Sequence, residues 1–122
     1  MKVAITSYGE DLSSKMDLSF GRAKWFVVVD TESGIVEAHS NKQNYNAAQG
    51  AGIQAAQNIS NLEVEVILTG NVGPNAFRTL NAAGIQIFII DKEVKTVEDA
   101  LSRWKAGNVR KVSEATVEGH WA

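Results

Sequence analysis

The chain has 122 residues, 44% apolar and 21% charged, the composition of one globular domain able to bury about two-thirds of its unfolded surface. A net charge of −2 gives no global attraction to nucleic acid or anionic membrane; without a run of ~18 apolar residues or a basic-then-apolar leader, the sequence predicts a cytoplasmic protein with no span. Cysteine is absent, which excludes disulfides, thiol catalysis, zinc ribbons and cysteine-ligated iron–sulfur clusters.

Lys2 to Thr6 reads as a first strand, followed by a long polar loop, Ser7 to Ala23, of a length that in compact domains is usually functional or mobile. Lys24 to Asp30 is an aromatic and β-branched strand buried on both faces. Thr31-Glu32-Ser33-Gly34 turns it back into an antiparallel neighbour, Ile35 to Ser40. A second polar loop, Asn41 to Asn46, leads to a helix over about 48–58, on which Gly52, Ala55, Ala56 and Ile59 make one small-residue face that lets the helix approach a sheet closely. A strand, Glu65 to Thr69, then meets Gly70-Asn71-Val72-Gly73 and the only proline, Pro74, which suits the first position of a helix running to Ala83. Gly84 ends that helix, and Ile85 to Ile90 is a fifth strand. Thr96-Val97-Glu98-Asp99 opens a last helix with a capping-box pattern and a Val97, Ala100, Leu101, Trp104 stripe, closed by Gly107. Residues 1–107 read as one domain, and 108–122 as a tail, weakly ordered or packed on it.

The order β-β-β-α-β-α-β-α, with strand two antiparallel, predicts an α/β three-layer fold of ribonuclease H-like type. Its mixed sheet has five strands, in spatial order 3-2-1-4-5, with three helices. In that topology the loops Ser7–Ala23, Asn41–Gln49, Gly70–Gly73 and Asp91–Thr96 all reach one sheet edge, the edge where open α/β sheets bind ligands. The N–H groups of Asn75 and Ala76, at the positive end of a helix dipole, offer an anion site there, with a plain strand-to-helix turn as the alternative reading.

Other motifs weigh less. Gly50-Ala51-Gly52-Ile53-Gln54-Ala55 fits G-x-G-x-x-A, but a long loop precedes it and no ribose-binding acid follows, so a close-packed helix explains it better. A two-metal nuclease or a sugar-kinase-type ATPase needs carboxylates at the strand ends; here those ends are Thr6-Ser7 and Thr69-Gly70, and Glu10, Asp11 and Asp17 read as solvated loop residues. His39 and His120, the only histidines, are weak metal candidates; the default for His39 is an ordinary, half-buried strand residue. Arg103, Lys105, Arg110 and Lys111 suit the end of a helix dipole, with a partner-docking patch as the sharper alternative.

Taken together, Met16-Asp17-x-x-Phe20-Gly21-Arg22-Ala23, Gly50-Ala51-Gly52, Gly70 to Ala76 and Ala83-Gly84-Ile85 resemble the dinitrogenase iron–molybdenum cofactor biosynthesis family. This is the NifX-like group, which includes the C-terminal domain of NifB-type proteins. The resemblance implies a ribonuclease H-like fold and non-catalytic binding or transfer of an iron–molybdenum cofactor or its iron–sulfur precursor. Without cysteine, such a cluster would be held by N–H groups at helix starts and by Arg22. The implied ligand-binding residues are Ser7, Phe20, Gly21, Arg22, Asn44, Gly50, Ala51, Gly52, Gly70, Asn71, Gly73 and Asn75. Cofactor-assembly proteins are the implied partners of a monomer or weak homodimer. The alternatives are a regulatory module for another small anion and a protein-interaction adaptor.

Overall fold

The computed structural model describes residues 1–42 and 50–113. Six strands form one mixed sheet: β1 (Lys2–Ser7), β2 (Trp25–Asp30), β3 (Val36–Ser40), β4 (Val66–Thr69), β5 (Gln86–Ile89) and β6 (Arg110–Lys111). Three helices accompany them among the described residues, α1 (Ala51–Asn61), α2 (Pro74–Ala82) and α3 (Val97–Lys105). None of the described helices is long and apolar enough to cross a membrane.

The spatial order is β3-β2-β1-β4-β5-β6. β1 lies antiparallel to β2 and parallel to β4; β5 continues parallel to β4. The expected order of the first five strands is present, and the expectation of a five-stranded sheet is corrected to six. β6 pairs antiparallel with β5, Phe88 opposite Lys111 and Ile89 opposite Arg110, and the Val112 N–H extends the ladder to the Ile87 carbonyl. Two residues are too few to show an alternation. What holds them is tertiary: Val109 packs with the cluster on one face of the sheet and Val112 with the cluster on the other.

Strand alternation sorts the core into two layers. Ala4, Phe26, Val28 and Ile67 point to the side covered by α1 and α2, where Ala55, Ala56, Ile59 and Leu80 meet them. Val3, Ile5, Val27, Val29, Val66 and Leu68 point the other way, to Val97, Ala100 and Leu101 of α3. Trp104 lies edge-on to Phe88 at the border of this second layer. α1 ends at Asn61, one turn beyond the expected boundary, because Ile59 continues its buried face and the Leu62 N–H closes on the Ile59 carbonyl. The expected start near 48 lies outside the described residues.

The segment between β1 and β2 is tied down along its length. Met16 bridges Ser7, Lys15 bridges Thr96, and Ser19 runs parallel to Asn71. Asp17, expected in solvent, is buried at 5% exposure. Its N–H donates to the Thr6 carbonyl, its own carbonyl accepts from the Thr6 hydroxyl, and its carboxylate accepts the Ser19 N–H at 2.9 Å.

Candidate functional site

Two glycines set the depth of the carboxyl edge. Gly70 leaves β4 against the backbone of Leu18: its N–H donates to the Leu18 carbonyl, and a Cβ there would stand 2.6 Å from that same oxygen. Gly21 lies on the first turn of α1, where a Cβ would stand 2.8 Å from the Gly52 nitrogen. Gly52 in turn faces the Ala76 methyl, 3.1 Å from an added Cβ. These absent side chains bring the starts of α1 and α2 side by side, under the loop that carries Ser19 to Arg22.

The result is a cleft of about 140 Å³ lined by Ser19, Phe20, Gly21, Arg22, Gly50, Ala51, Gly52, Ile53, Asn71, Gly73, Asn75 and Ala76. Six of these twelve residues are glycine or alanine, which leaves backbone accessible in the wall. α1 begins at Gly50 in the left-handed region, φ 76°, and α2 at Gly73 in extended conformation. Neither start has a side-chain cap or an acidic residue in its first turn. α3 is built otherwise: Thr96 accepts the Asp99 N–H at 3.1 Å, and Glu98 and Asp99 sit in its first turn. The sequence thus neutralises the positive end of the helix remote from the cleft, while the two that face it carry no such cap or acid among the described residues, a setting that favours an anion. Arg22 supplies a cation at the rim, and Arg78 donates to the Asn75 side-chain oxygen beside the α2 start.

Nine of the twelve expected residues, Phe20, Gly21, Arg22, Gly50, Ala51, Gly52, Asn71, Gly73 and Asn75, come together in this one cleft. Ser7 does not: it is fully buried, its hydroxyl donating to the Gly9 carbonyl at 2.8 Å and accepting the Gly9 N–H at 3.1 Å. Gly70 lines the adjoining groove instead, and Asn44 lies outside the described residues. Ala76, whose N–H was expected at an anion site, also lines the cleft, and Ser19 and Ile53 complete the wall without having been singled out as binding residues.

Asn41 is a further determinant that the sequence hides. Buried at the end of β3, it donates its amide to the Gly21 carbonyl at 3.0 Å and the Ala23 carbonyl at 2.8 Å, fixing the loop over the cleft. The only available signal was an asparagine directly after a strand. Asp17 pins the other end of that loop through Ser19. Burial pushes its carboxyl above the usual carboxylate range, opposed by the Ser19 N–H and by Lys24 and Lys15.

His39 stands on the edge strand β3, half-buried, 3.2 Å from a Glu37 carboxylate oxygen; His120 lies outside the described residues. No group of three or more histidine, aspartate or glutamate side chains suited to a metal ion occurs among the described residues. Among the described residues the cleft therefore offers N–H donors and positive charge, and no thiolate or imidazole.

An uncharacterised protein of Methanocaldococcus jannaschii is 26% identical over 113 residues, 91% of each chain. The solved structure of the apo form of the orange protein from Desulfovibrio gigas matches with a TM-score of 0.90 and 39% identity, over 95% of this chain and 96% of that one. A Thermotoga protein, described as NifB-like and assigned to the DUF35 family, matches with a TM-score of 0.82 and 37% identity, over 95% and 97%. A sequence model described as dinitrogenase iron–molybdenum cofactor matches residues 1–107, and on that match the chain belongs to the dinitrogenase iron–molybdenum cofactor family.

Proposed function

We propose that the chain is a non-catalytic binding or carrier protein whose cleft holds an anionic metal–sulfur cluster, an iron–molybdenum cofactor or its iron–sulfur precursor, as cargo. The observation that carries this reading is the contrast in capping. Two neighbouring helix starts share one cleft with neither cap nor acid, while the third helix has both. An anion between α1 and α2 accepts N–H groups from both and meets both dipoles, with Arg22 closing the rim. The residues fit a cluster held by hydrogen bonds and charge; they do not fit one held by thiolate ligation. Family membership supports the choice of a metal–sulfur cluster over other anions. The Desulfovibrio gigas relative, described as an apo form, supports a bound group in this fold.

Residues 1–107 form the binding domain in this reading, and the β3-β2-β1-β4-β5 core with its antiparallel β2 is of ribonuclease H-like type. The test is anaerobic incubation with a donor of iron–molybdenum cofactor or iron–sulfur precursor, desalting, and measurement of bound iron and molybdenum. About one cluster per chain is expected, lowered by Arg22→Ala. Metal content equal to that of an unrelated cysteine-free protein refutes the proposal.

A further inference from the structure

The basic stretch near the end of the chain takes no part in the cleft. Arg103 and Arg110 join Lys92 along a second groove of about 670 Å³, bounded by the end of β5, the last turn of α3 and β6. It runs into a third hollow that adds Lys15 and Lys95, with Leu18, Asn71, Lys92 and Val94 common to both. Asn71 also lines the glycine cleft, so all three share a wall.

Lys15, Lys92, Lys95, Arg103 and Arg110 are five of the twelve cations of a chain whose net charge is −2. Among the described residues the carboxylates lining these two hollows are Asp91 and the buried Asp17. Lys92, Lys95 and Arg110 pair with no carboxylate among the described residues, and Arg103 stands 3.7 Å from Asp99. All five cations are exposed and form the rim. The floor is apolar: Ile90 and Val94 are buried, and Leu18, Ile89 and Val109 are half-buried.

An apolar floor under a cationic rim selects its occupant. A small inorganic anion needs donors at the bottom of its site, and here the bottom is hydrocarbon. Single-stranded nucleic acid needs aromatic faces for its bases. Among the described residues no aromatic side chain lines the groove, and the ring of Tyr8 in the third hollow already lies under the Lys15 ammonium, 5.5 Å away. A polypeptide with both acidic and apolar side chains satisfies floor and rim together.

We infer that the β5–β6–α3 groove docks an acidic, apolar segment of a partner protein beside the mouth of the cleft, a placement suited to handing over cargo and resting, for that purpose, on the carrier reading above. The docking chemistry itself needs no cargo.

The test is fluorescence anisotropy with the cluster-free chain and a short fluorescein-labelled peptide alternating glutamate and leucine. A lysine–leucine peptide and a single-stranded oligonucleotide serve as comparators. The acidic peptide binds, binding weakens between ~50 mM and ~0.5 M salt, and Lys92→Glu with Arg110→Glu weakens it about tenfold. If that pair impairs folding, by circular dichroism and melting, Lys92→Gln with Arg110→Gln is used, with about a threefold loss expected. Absence of acidic-peptide binding, equal or tighter binding of either comparator, or an unchanged affinity in the folded variant overturns the inference. Cluster loading, measured as iron and molybdenum, is unaffected by Lys92→Glu/Arg110→Glu. Failed loading with intact peptide binding removes the carrier reading alone, and the converse removes the docking groove alone.

Discussion

Replacing Gly21 by alanine tests the packing on which the cleft depends. The added Cβ would lie 2.8 Å from the Gly52 nitrogen, 2.9 Å from its Cα and 3.2 Å from the Ala51 carbonyl carbon. All three are backbone atoms of a helix start, so no side chain can swing away. Overpacking of this kind costs about 1–3 kcal/mol, and a rigid obstacle places it in the upper part of that range. Against it stands about 0.4–1 kcal/mol from the smaller entropy of the unfolded chain. The net loss is about 1–2.5 kcal/mol. With about 2.1 cal/mol/K of unfolding entropy per residue over 122 residues, that lowers Tm by about 4–10 °C. The same methyl would cover the Gly52 N–H, so anion binding falls as well. Gly52→Ala supplies the contrast. Its Cβ meets only the Ala76 methyl, at 3.1 Å, and the helix gains about 1 kcal/mol from losing a glycine, leaving a net change near zero. Ala76→Gly relieves Gly52→Ala and does nothing for Gly21→Ala. Thermal unfolding of the four variants decides it. A Gly21→Ala protein that melts at or above the parent temperature, or one rescued by Ala76→Gly, refutes the close-approach argument.

Three further substitutions probe separate parts of the structure. Asp17 has its carboxyl raised by burial, so its contribution to stability is present below the unfolded carboxylate pKa and lost as pH rises through the higher folded value. Asp17→Asn keeps an oxygen for the Ser19 N–H without the charge, so its stability relative to the parent, from urea midpoints, rises between about pH 4 and pH 7; a pH-independent difference contradicts this. Thr96→Ala removes the only helix N-terminal side-chain cap among the described residues and costs about 0.5–2 kcal/mol, while bound metal stays unchanged because α3 lies on the opposite face of the sheet from α1 and α2. Ile59→Ala, at a fully buried position of α1, costs about 2–5 kcal/mol by denaturant unfolding, and a loss under 1 kcal/mol would place α1 off the sheet.

Much of the fold was legible because side-chain period and punctuation agree in this chain. Val27, Val28 and Val29 mark a strand with both faces covered, Pro74 marks the first residue of α2, and Thr96 marks the start of α3. The cleft was legible for a related reason. Gly21, Gly52 and Gly70 stand where backbone approaches backbone, and such sites leave a trace in residue type. Other features leave none. β6 exists because two valines find opposite layers of an existing core, which no local pattern of two residues shows. Asp17 reads as a solvated loop acid until Thr6, Ser19 and the segment around Asn71 close over it. Ser7 reads as a residue at an open strand end, yet its hydroxyl is consumed by the next turn. In each case burial comes from contacts distant in sequence or from a side-chain bond that residue type alone does not specify.

The absence of cysteine bears on what a site of this kind can do. Metal held by thiolates in a structural site is bound by about 10–16 kcal/mol, and release then requires breaking coordinate bonds. A cluster held by N–H groups is bound through interactions of a smaller order. Each helix end contributes about 0.3–1 kcal/mol at an exposed site and up to ~2 where partly buried, and charged hydrogen bonds add about 1.5–3 kcal/mol each. Two helix starts, a few amides and Arg22 thus give affinity that a competing site with one or two metal–ligand bonds can exceed. In the carrier reading proposed above, such a cleft would hold its cargo and yield it to a partner with better ligands. That is the behaviour required of a carrier, and it follows from Gly50 and Gly73 standing where Thr96 stands on α3.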